Sequence, residues 1–197
     1  VLVAGYGGRE AALGAFVVSR REFAGYWEYL LENAIFTAPI YERFGGAALI
    51  DSEGKLVGIG SLAVGDAAGP DPLMPGNMFV PIDILKPILA DLLEKGRPAT
   101  PPKPWLGVIT REANGRLYVL DVSADGPAAR AGLKRGDILL SVAGKAINGQ
   151  ADFYKKLWAT GPAGTRIELS ILHERDVKTV TVGSIDRYDW MNTATRH

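Results

Sequence analysis

The chain has 197 residues, of which 47% are hydrophobic and 22% charged, as in an ordinary globular protein of one or two domains. Its 22 basic residues equal its 22 acidic residues, so no electrostatic footprint predicts binding to nucleic acid or to an anionic membrane. No apolar run is long enough to cross a bilayer, and the absence of cysteine excludes disulfides, a thiol nucleophile and cysteine metal sites. We therefore expect no cofactor and no bound metal.

Residues 1–96 contain short alternating apolar runs that predict strands, with one hairpin that turns at Ser52-Glu53-Gly54. The predicted strands cover residues 1–4, 47–51, 55–63 and 78–81. The aromatic segment 22–36 fits either a helix or a long loop. The glycines in VLVAGYGG at 1–8 also resemble a nucleotide-binding turn. We reject that reading because no second strand ending in Asp or Glu follows about 20 residues on.

A helix and a linker close this first region. Apolar residues recur with a helical period over 82–95, with Asp83 as a cap, Pro87 in the first turn and Gly96 as the stop. Residues 97–104 read RPATPPKP and predict a semi-rigid extended linker, because prolines favour extended backbone. We therefore expect one domain over 1–96 and a second after the linker.

The stretch 125–147 reads DGPAARAGLKRGDILLSVAGKAI. A short Ala-rich turn ends at Gly132, which suits a left-handed position, and Gly136-Asp137 forms a tight turn. Residues 138–142 then alternate as a strand does. This order of turn glycines and apolar residues resembles the centre of a PDZ domain. PDZ domains bind extended peptides, usually by their C-terminal carboxylate.

The remaining pattern agrees with a PDZ domain over 105–186, an α+β sandwich-like fold with two helices. Its predicted strands are 106–110, 117–122, 138–142, 166–172 and 177–182, and a helix is predicted over 150–159. The tail 187–197 shows no pattern, so we expect no regular element there.

The PDZ resemblance implies a carboxylate-binding loop. In PDZ domains the loop before the first groove strand has the form x-φ-G-φ, where φ is apolar. Backbone N–H groups of this loop would receive a terminal carboxylate, and the peptide would add as a strand beside residues 108–110. The predicted binding residues are Trp105, Leu106, Gly107, Val108, Ile109 and Thr110.

The other wall of the groove would be the helix 150–159. Phe153 and Leu157 share a face that would line an apolar pocket for the last side chain of the ligand. The alternative is that Phe153 belongs to the core. Lys156 would favour an acidic residue further up the peptide.

A second resemblance covers nearly the whole chain. GGAALIDSEGKLVGIGSLAV at 45–64 resembles the hairpin that follows the nucleophile G-N-S-G-G in the HtrA (Deg) family of trypsin-like serine proteases. VPIDIL at 80–85 resembles the start of their closing helix, and residues 1–8 resemble the first strand of their second barrel. The resemblance implies a mainly β fold: a partial trypsin-like β-barrel followed by a PDZ domain. It also suggests a periplasmic or envelope location and a quality-control role.

The nucleophile position departs from this family pattern. Counting back from the hairpin, Gly45 takes the place of the serine. Aligning the two glycines puts Phe44 there instead. The neighbours of these two positions are Arg43 and Gly46. Neither residue has a hydroxyl, and acyl transfer by a triad needs a nucleophile and a base. The only histidines are His173, on a predicted exposed strand position, and His197. No catalytic residue is therefore predicted.

Three functions remain open at this point. The first is a catalytically degenerate HtrA-like protein that binds peptide or protein C-termini. The second is a serine endopeptidase whose first barrel and triad lie outside this chain. The third is a structural or adaptor subunit in which the PDZ groove is blocked. A half-barrel also exposes an apolar face, which predicts a homo-oligomer or a partner there.

Overall fold

The computed structural model describes residues 1–70 and 73–194 of a mainly β chain, and this confirms the predicted fold class. The chain divides into two compact units. The first unit contains Val1–Phe23 and Leu31–Ala99. The second unit contains Ala24–Leu30 together with the chain from Thr100 onward.

The first unit is built on a seven-stranded sheet, in the order β2-β1-β5-β6-β7-β4-β3. The strands are β1 Leu2–Ala4, β2 Ala12–Gly14, β3 Phe16–Gly25, β4 Tyr29–Ala38, β5 Ala48–Ile50, β6 Leu56–Val64 and β7 Gly76–Pro81. All four predicted strands are present with small shifts at their ends. β1 and β2 pair antiparallel, so the glycine-rich turn between them is not the strand-to-helix turn of a nucleotide-binding fold.

The segment 22–36, which the sequence leaves unresolved, contains the end of β3, a turn and most of β4. Its strand character is hidden in the sequence because five consecutive residues, 34–38, are all buried. A strand that is buried on both faces loses the alternation of apolar and polar residues by which strands are recognised.

The core of the first unit includes Val3, Ile35, Leu49 and Phe79. Beside it, Gly60 allows the loop before β5 to approach β6 closely. A Cβ atom on Gly60 would lie 2.0 Å from the carbonyl oxygen of Phe44, so only glycine fits there.

The predicted closing helix is shorter than expected. Two 3₁₀ turns, Ile82–Ile84 and Lys86–Ile88, precede the helix α1, Leu89–Lys95. Pro87 lies in the second turn, and its lack of an N–H prevents a regular helix through this region. Asp83 does not cap the helix, because its carboxylate accepts a hydrogen bond from Lys86. Gly96 ends α1 in a left-handed conformation, as predicted.

The second unit contains a sheet in the order β13-β12-β10-β9-β8, with β11 paired to β10. Its strands are β8 Val108–Ala113, β9 Arg116–Val122, β10 Ile138–Val142, β11 Lys145–Ala146, β12 Arg166–His173 and β13 Asp176–Gly183. Its helices are α2 Pro127–Arg130, α3 Gln150–Trp158 and α4 Arg187–Ala194. The core packs α3 against the sheet through buried residues such as Leu106, Val119, Leu139, Tyr154 and Leu169.

Two predictions for this unit need correction. The first groove strand begins at Val108 rather than at 106, because the preceding residues form a loop. The tail, where no regular element is expected, contains α4. The Trp190 ring of α4 packs 5.6 Å from the Trp105 ring, a tertiary contact that sequence periodicity does not reveal. His197 lies outside the described residues. Within the described part of the chain, no helix is both long and apolar enough to span a membrane.

Candidate peptide-binding site

The loop 105–108 of the second unit directs three backbone N–H groups at one carboxylate. The N–H of Leu106 donates to Glu28 Oε2 at 3.0 Å. The N–H groups of Gly107 and Val108 donate to Glu28 Oε1 at 2.6 and 2.9 Å. These are the donors that the sequence predicts for a terminal carboxylate, and here they hold a side chain of the same chain.

The loop holds this shape through its glycine and its carbonyl groups. Gly107 has φ +76°, and a Cβ atom there would lie 3.0 Å from the Trp105 ring. The carbonyl oxygens of Leu106 and Gly107 accept hydrogen bonds from the N–H groups of Ala128 and Ser123, at 2.9 and 2.8 Å. Each of these carbonyls shares a peptide plane with the next N–H and points away from it. The hydrogen bonds of the carbonyls therefore orient the N–H groups of Gly107 and Val108 towards one anion.

Tyr154 of α3 forms the polar centre of the opposite wall. Its hydroxyl donates to the Gly25 carbonyl oxygen at 2.7 Å and accepts from the Glu28 N–H at 3.1 Å. It also contacts Gln150 Nε2 at 3.1 Å and Thr110 Oγ1 at 3.2 Å. The Tyr154 side chain is fully buried, and burial raises its pKa. Its hydroxyl therefore stays neutral and able to donate.

The groove strand β8 contributes one main-chain hydrogen bond. The N–H of Thr110 donates to the carbonyl oxygen of Tyr26 at 3.0 Å. Gln150 Nε2 donates to the Gly25 carbonyl at 2.8 Å from the side of α3. The segment Ala24–Leu30 is thus bound by the loop, by the strand and by the helix that the PDZ resemblance assigns to a ligand.

Glu28 is a buried acid, with 6% of its surface exposed. Burial raises its pKa from 4.5 to about 7, although the N–H donors of Leu106, Val108 and Gly107 and the charge of Arg187 act in the opposite direction. A cavity of about 260 Å³ lies beside Glu28. Its lining includes Glu28, Lys103, Trp105, Trp158 and Arg187.

The other predicted binding residues occupy different environments. The N–H of Trp105 donates to the Ile185 carbonyl, and Ile109 pairs with Asp121 of β9. Lys156 is engaged by Asp152 and by the Ala146 carbonyl.

Phe153 and Leu157 are fully buried in the core of the second unit. For Phe153 this agrees with the core alternative. The assignment of both residues to the wall of a ligand pocket stays a prediction.

The sequence reading missed Glu28, Gln150 and Tyr154. Glu28 lies in the segment whose secondary structure the sequence did not resolve, so nothing indicated its position. Gln150 and Tyr154 lie one turn apart on the predicted helix, which was a usable signal for a shared polar face.

The residues that the sequence aligns with the family nucleophile, Phe44 and Gly45, lie in the loop before β5. The N–H of Gly46 donates to the Gly60 carbonyl at 2.9 Å, and the N–H of Ala47 donates to the Phe44 carbonyl at 2.9 Å. Nothing lies within 4 Å of a Cβ atom built on Gly45. A side chain would therefore fit at this position, although the chain carries none.

His173, at the end of β12, is not freely exposed as predicted. Its Nδ1 lies 2.6 Å from Asp137 Oδ1, and Asp137 is buried. Across residues 1–70 and 73–194, no cluster of three or more His, Cys, Asp or Glu side chains could hold a metal ion.

The sequence of the chain is similar to known proteins over most of its length. The family model described as PDZ domain matches residues 104–183. A probable periplasmic serine endoprotease, DegP-like, from Pseudomonas fulva is 32% identical over 149 residues, which cover 70% of this chain and 30% of that protein. Serine endoprotease DegS from Haemophilus influenzae is 35% identical over 116 residues, covering 56% of this chain and 33% of that protein. The chain spans about a third of the length of the curated relatives it matches.

Solved structures show the same fold. A variant of the HtrA-type protease AlgW with tripeptide aligns with a TM-score of 0.56 and 20% identity, covering 94% of this chain and 64% of that chain. AlgW with decapeptide aligns with a TM-score of 0.50 and 24% identity, covering 80% of this chain and 50% of that chain. The chain is therefore a homologue of the HtrA-type serine proteases, matching part of their length, and it carries a PDZ domain.

Proposed function

We propose that the chain is a catalytically degenerate HtrA-like protein whose PDZ domain binds the C-termini of peptides or proteins. The observation that carries this proposal is the set of three N–H donors of Leu106, Gly107 and Val108 on one carboxylate. A terminal carboxylate presents the same two acceptor oxygens. Charge-assisted hydrogen bonds of this kind are the strong ones in proteins.

The ligand we propose has a free, apolar C-terminal residue. Its main chain would pair with β8 between Val108 and Thr110, where the Thr110 N–H already donates to a carbonyl oxygen. Phe153 and Leu157 would line the wall behind its last side chain. A short interface that must order its ligand gives an affinity on the order of micromolar, or about −8 kcal/mol.

Catalytic degeneracy rests on the residues at the nucleophile position. Neither Gly45 nor Phe44 can supply an attacking oxygen, because neither side chain carries a hydroxyl. The alternative function is a serine endopeptidase whose first barrel and triad lie outside this chain. The names of several relatives describe periplasmic endoproteases, and from them we propose an envelope location and a role in protein quality control.

A matched peptide pair tests the binding function. A fluorescent hexapeptide ending in valine is compared with its C-terminal amide by fluorescence polarisation, on the wild-type chain and on the Glu28→Ala variant. Amidation removes the charge that the loop receives, and a hydrogen bond to a charged group contributes about 1.5–3 kcal/mol. We expect the acid to bind at least about tenfold more tightly than the amide to Glu28→Ala. Equal affinities of acid and amide for both proteins would contradict the proposed function.

A further inference from the structure

The carboxylate loop already has an occupant within the same unit. We name Ala24–Leu30, which groups with the second unit, the resident segment. Its Glu28 carboxylate accepts three backbone hydrogen bonds from the loop, and its Tyr26 carbonyl accepts one from β8. Its Gly25 carbonyl accepts two from α3. The resident segment therefore uses the donors on which an external peptide would depend.

The resident segment presents a side-chain carboxylate rather than a chain terminus. Glu28 adopts a left-handed conformation with φ 55°, and its own N–H donates to the Tyr154 hydroxyl. The chain then continues into β4 at Tyr29. The turn at Glu28 allows an internal residue to place two acceptor oxygens where a C-terminus would place them, while the backbone leaves the groove.

Apolar contacts hold the two ends of the resident segment. Ala24 and Leu30 are half-buried against the core of the second unit. Between them the Trp27 ring stacks on Tyr29 at 5.6 Å and meets the edge of Tyr26 at 4.7 Å. The segment is thus a packed turn with its own aromatic cluster, and it is not a loose loop that happens to touch the groove.

We propose that the resident segment is an internal ligand of the PDZ domain, which an external C-terminal peptide must displace before it can bind. The proposal rests on the proposed function, because it assumes that external carboxylates use the same loop. Two carboxylates cannot share the N–H groups of Leu106, Gly107 and Val108. Binding of the peptide and docking of the resident segment are therefore mutually exclusive, and the apparent affinity falls with the fraction of open groove.

Two features favour displacement over a permanent structural role. The Glu28 carboxyl group is removed from water, and a buried ionisable group contributes less net stability than its hydrogen bonds suggest, because its desolvation costs free energy. The cavity beside Glu28, lined in part by Trp105 and Arg187, gives an incoming chain end space next to the residue that it must displace. The raised pKa of Glu28 agrees with this cost of burial.

The variant Glu28→Ala tests the proposal through peptide affinity. We expect the hexapeptide acid to bind Glu28→Ala at least tenfold more tightly than the wild type, because the competitor has lost its carboxylate. Glu32→Ala is the matched control: it removes the same charge from an exposed position of β4 and should leave the affinity unchanged. Clear preference for the acid with equal affinity for wild type and Glu28→Ala would overturn the internal ligand while leaving the peptide-binding function in place. If neither wild type nor Glu28→Ala prefers the acid over the amide, the internal ligand and the peptide-binding function are both contradicted.

A second measurement uses the unaltered protein, so it does not depend on the folding of a variant. The carboxyl carbon resonance of Glu28 is followed by NMR while the wild-type chain is saturated with the hexapeptide acid. Displacement should move this resonance to the position of a solvated glutamate, while the amide-terminated peptide should not move it at the same concentration. A Glu28 resonance that stays at its starting position when the peptide is fully bound would overturn the proposal.

Discussion

Raising the pH from mildly acidic to mildly alkaline should loosen the resident segment. Burial raises the pKa of Glu28 to about 7 when the segment is docked, from the ordinary value of 4.5 for a solvated glutamate. The docked state therefore keeps a proton over a range in which the released state has lost it. The proton on Glu28 stabilises the docked segment fully below the pKa of Glu28 in the released segment. This stabilisation is lost as the pH rises through about 7.

The size of the effect follows from the two pKa values. Between about pH 5.5 and about pH 8, docking should weaken by about 2 kcal/mol, or roughly 30-fold in the equilibrium between docked and released segment. Other groups modify this value. Arg187 opposes the shift, Tyr154 stays neutral over this range, and Lys103 and Asp186 line the adjoining cavity.

An NMR titration of the glutamate carboxyl carbons measures the effect. We expect Glu28 to titrate near pH 7, well above the 4.5 that is ordinary for a solvated glutamate. As a second readout, urea denaturation should show that Glu28→Gln gains stability relative to wild type as the pH is raised. A Glu28 midpoint at or below about 4.5 would refute the reasoning, because the N–H donors would then outweigh the cost of burial.

Three further predictions concern the rest of the chain. The protein should not react with a fluorophosphonate probe. Gly45→Ser should also remain unreactive, because no base is supplied, although there is room for its Cβ atom. Labelling of either protein would contradict catalytic degeneracy. Gly107→Ala should destabilise the carboxylate loop by about 1–2 kcal/mol, since φ is +76° and the Cβ atom would meet Trp105. It should also abolish acid-selective binding. Calorimetric unfolding measures the first effect and fluorescence polarisation the second. Phe16 and Val17, at 78% and 40% exposure on the edge strand β3, should support self-association. If light scattering gives a Phe16→Ser variant the same mass as wild type, this surface does not mediate self-association.

The sequence by itself determined most of the second unit. Turn glycines require a particular backbone conformation wherever they occur, and the alternation of residues 138–142 is a local property of a strand with distinct faces. These signals predicted β10 at its observed bounds, and the resemblance to a PDZ domain implied a carboxylate-binding loop at 105–108. The hairpin at 45–64 has its own turn residues, and its resemblance to the protease family predicts a substituted nucleophile position at Gly45 or, in the other alignment, at Phe44.

Only the tertiary structure decided what occupies the loop. Glu28 lies 78 residues before Leu106 in the chain, and no local pattern links an acid in one segment to N–H groups that distant. The strand that follows it, β4, was hidden because 34–38 is buried on both faces, so the turn that presents the carboxylate could not be recognised. The pKa of Glu28 is equally a tertiary property, since it depends on the burial and the donors that the fold brings together.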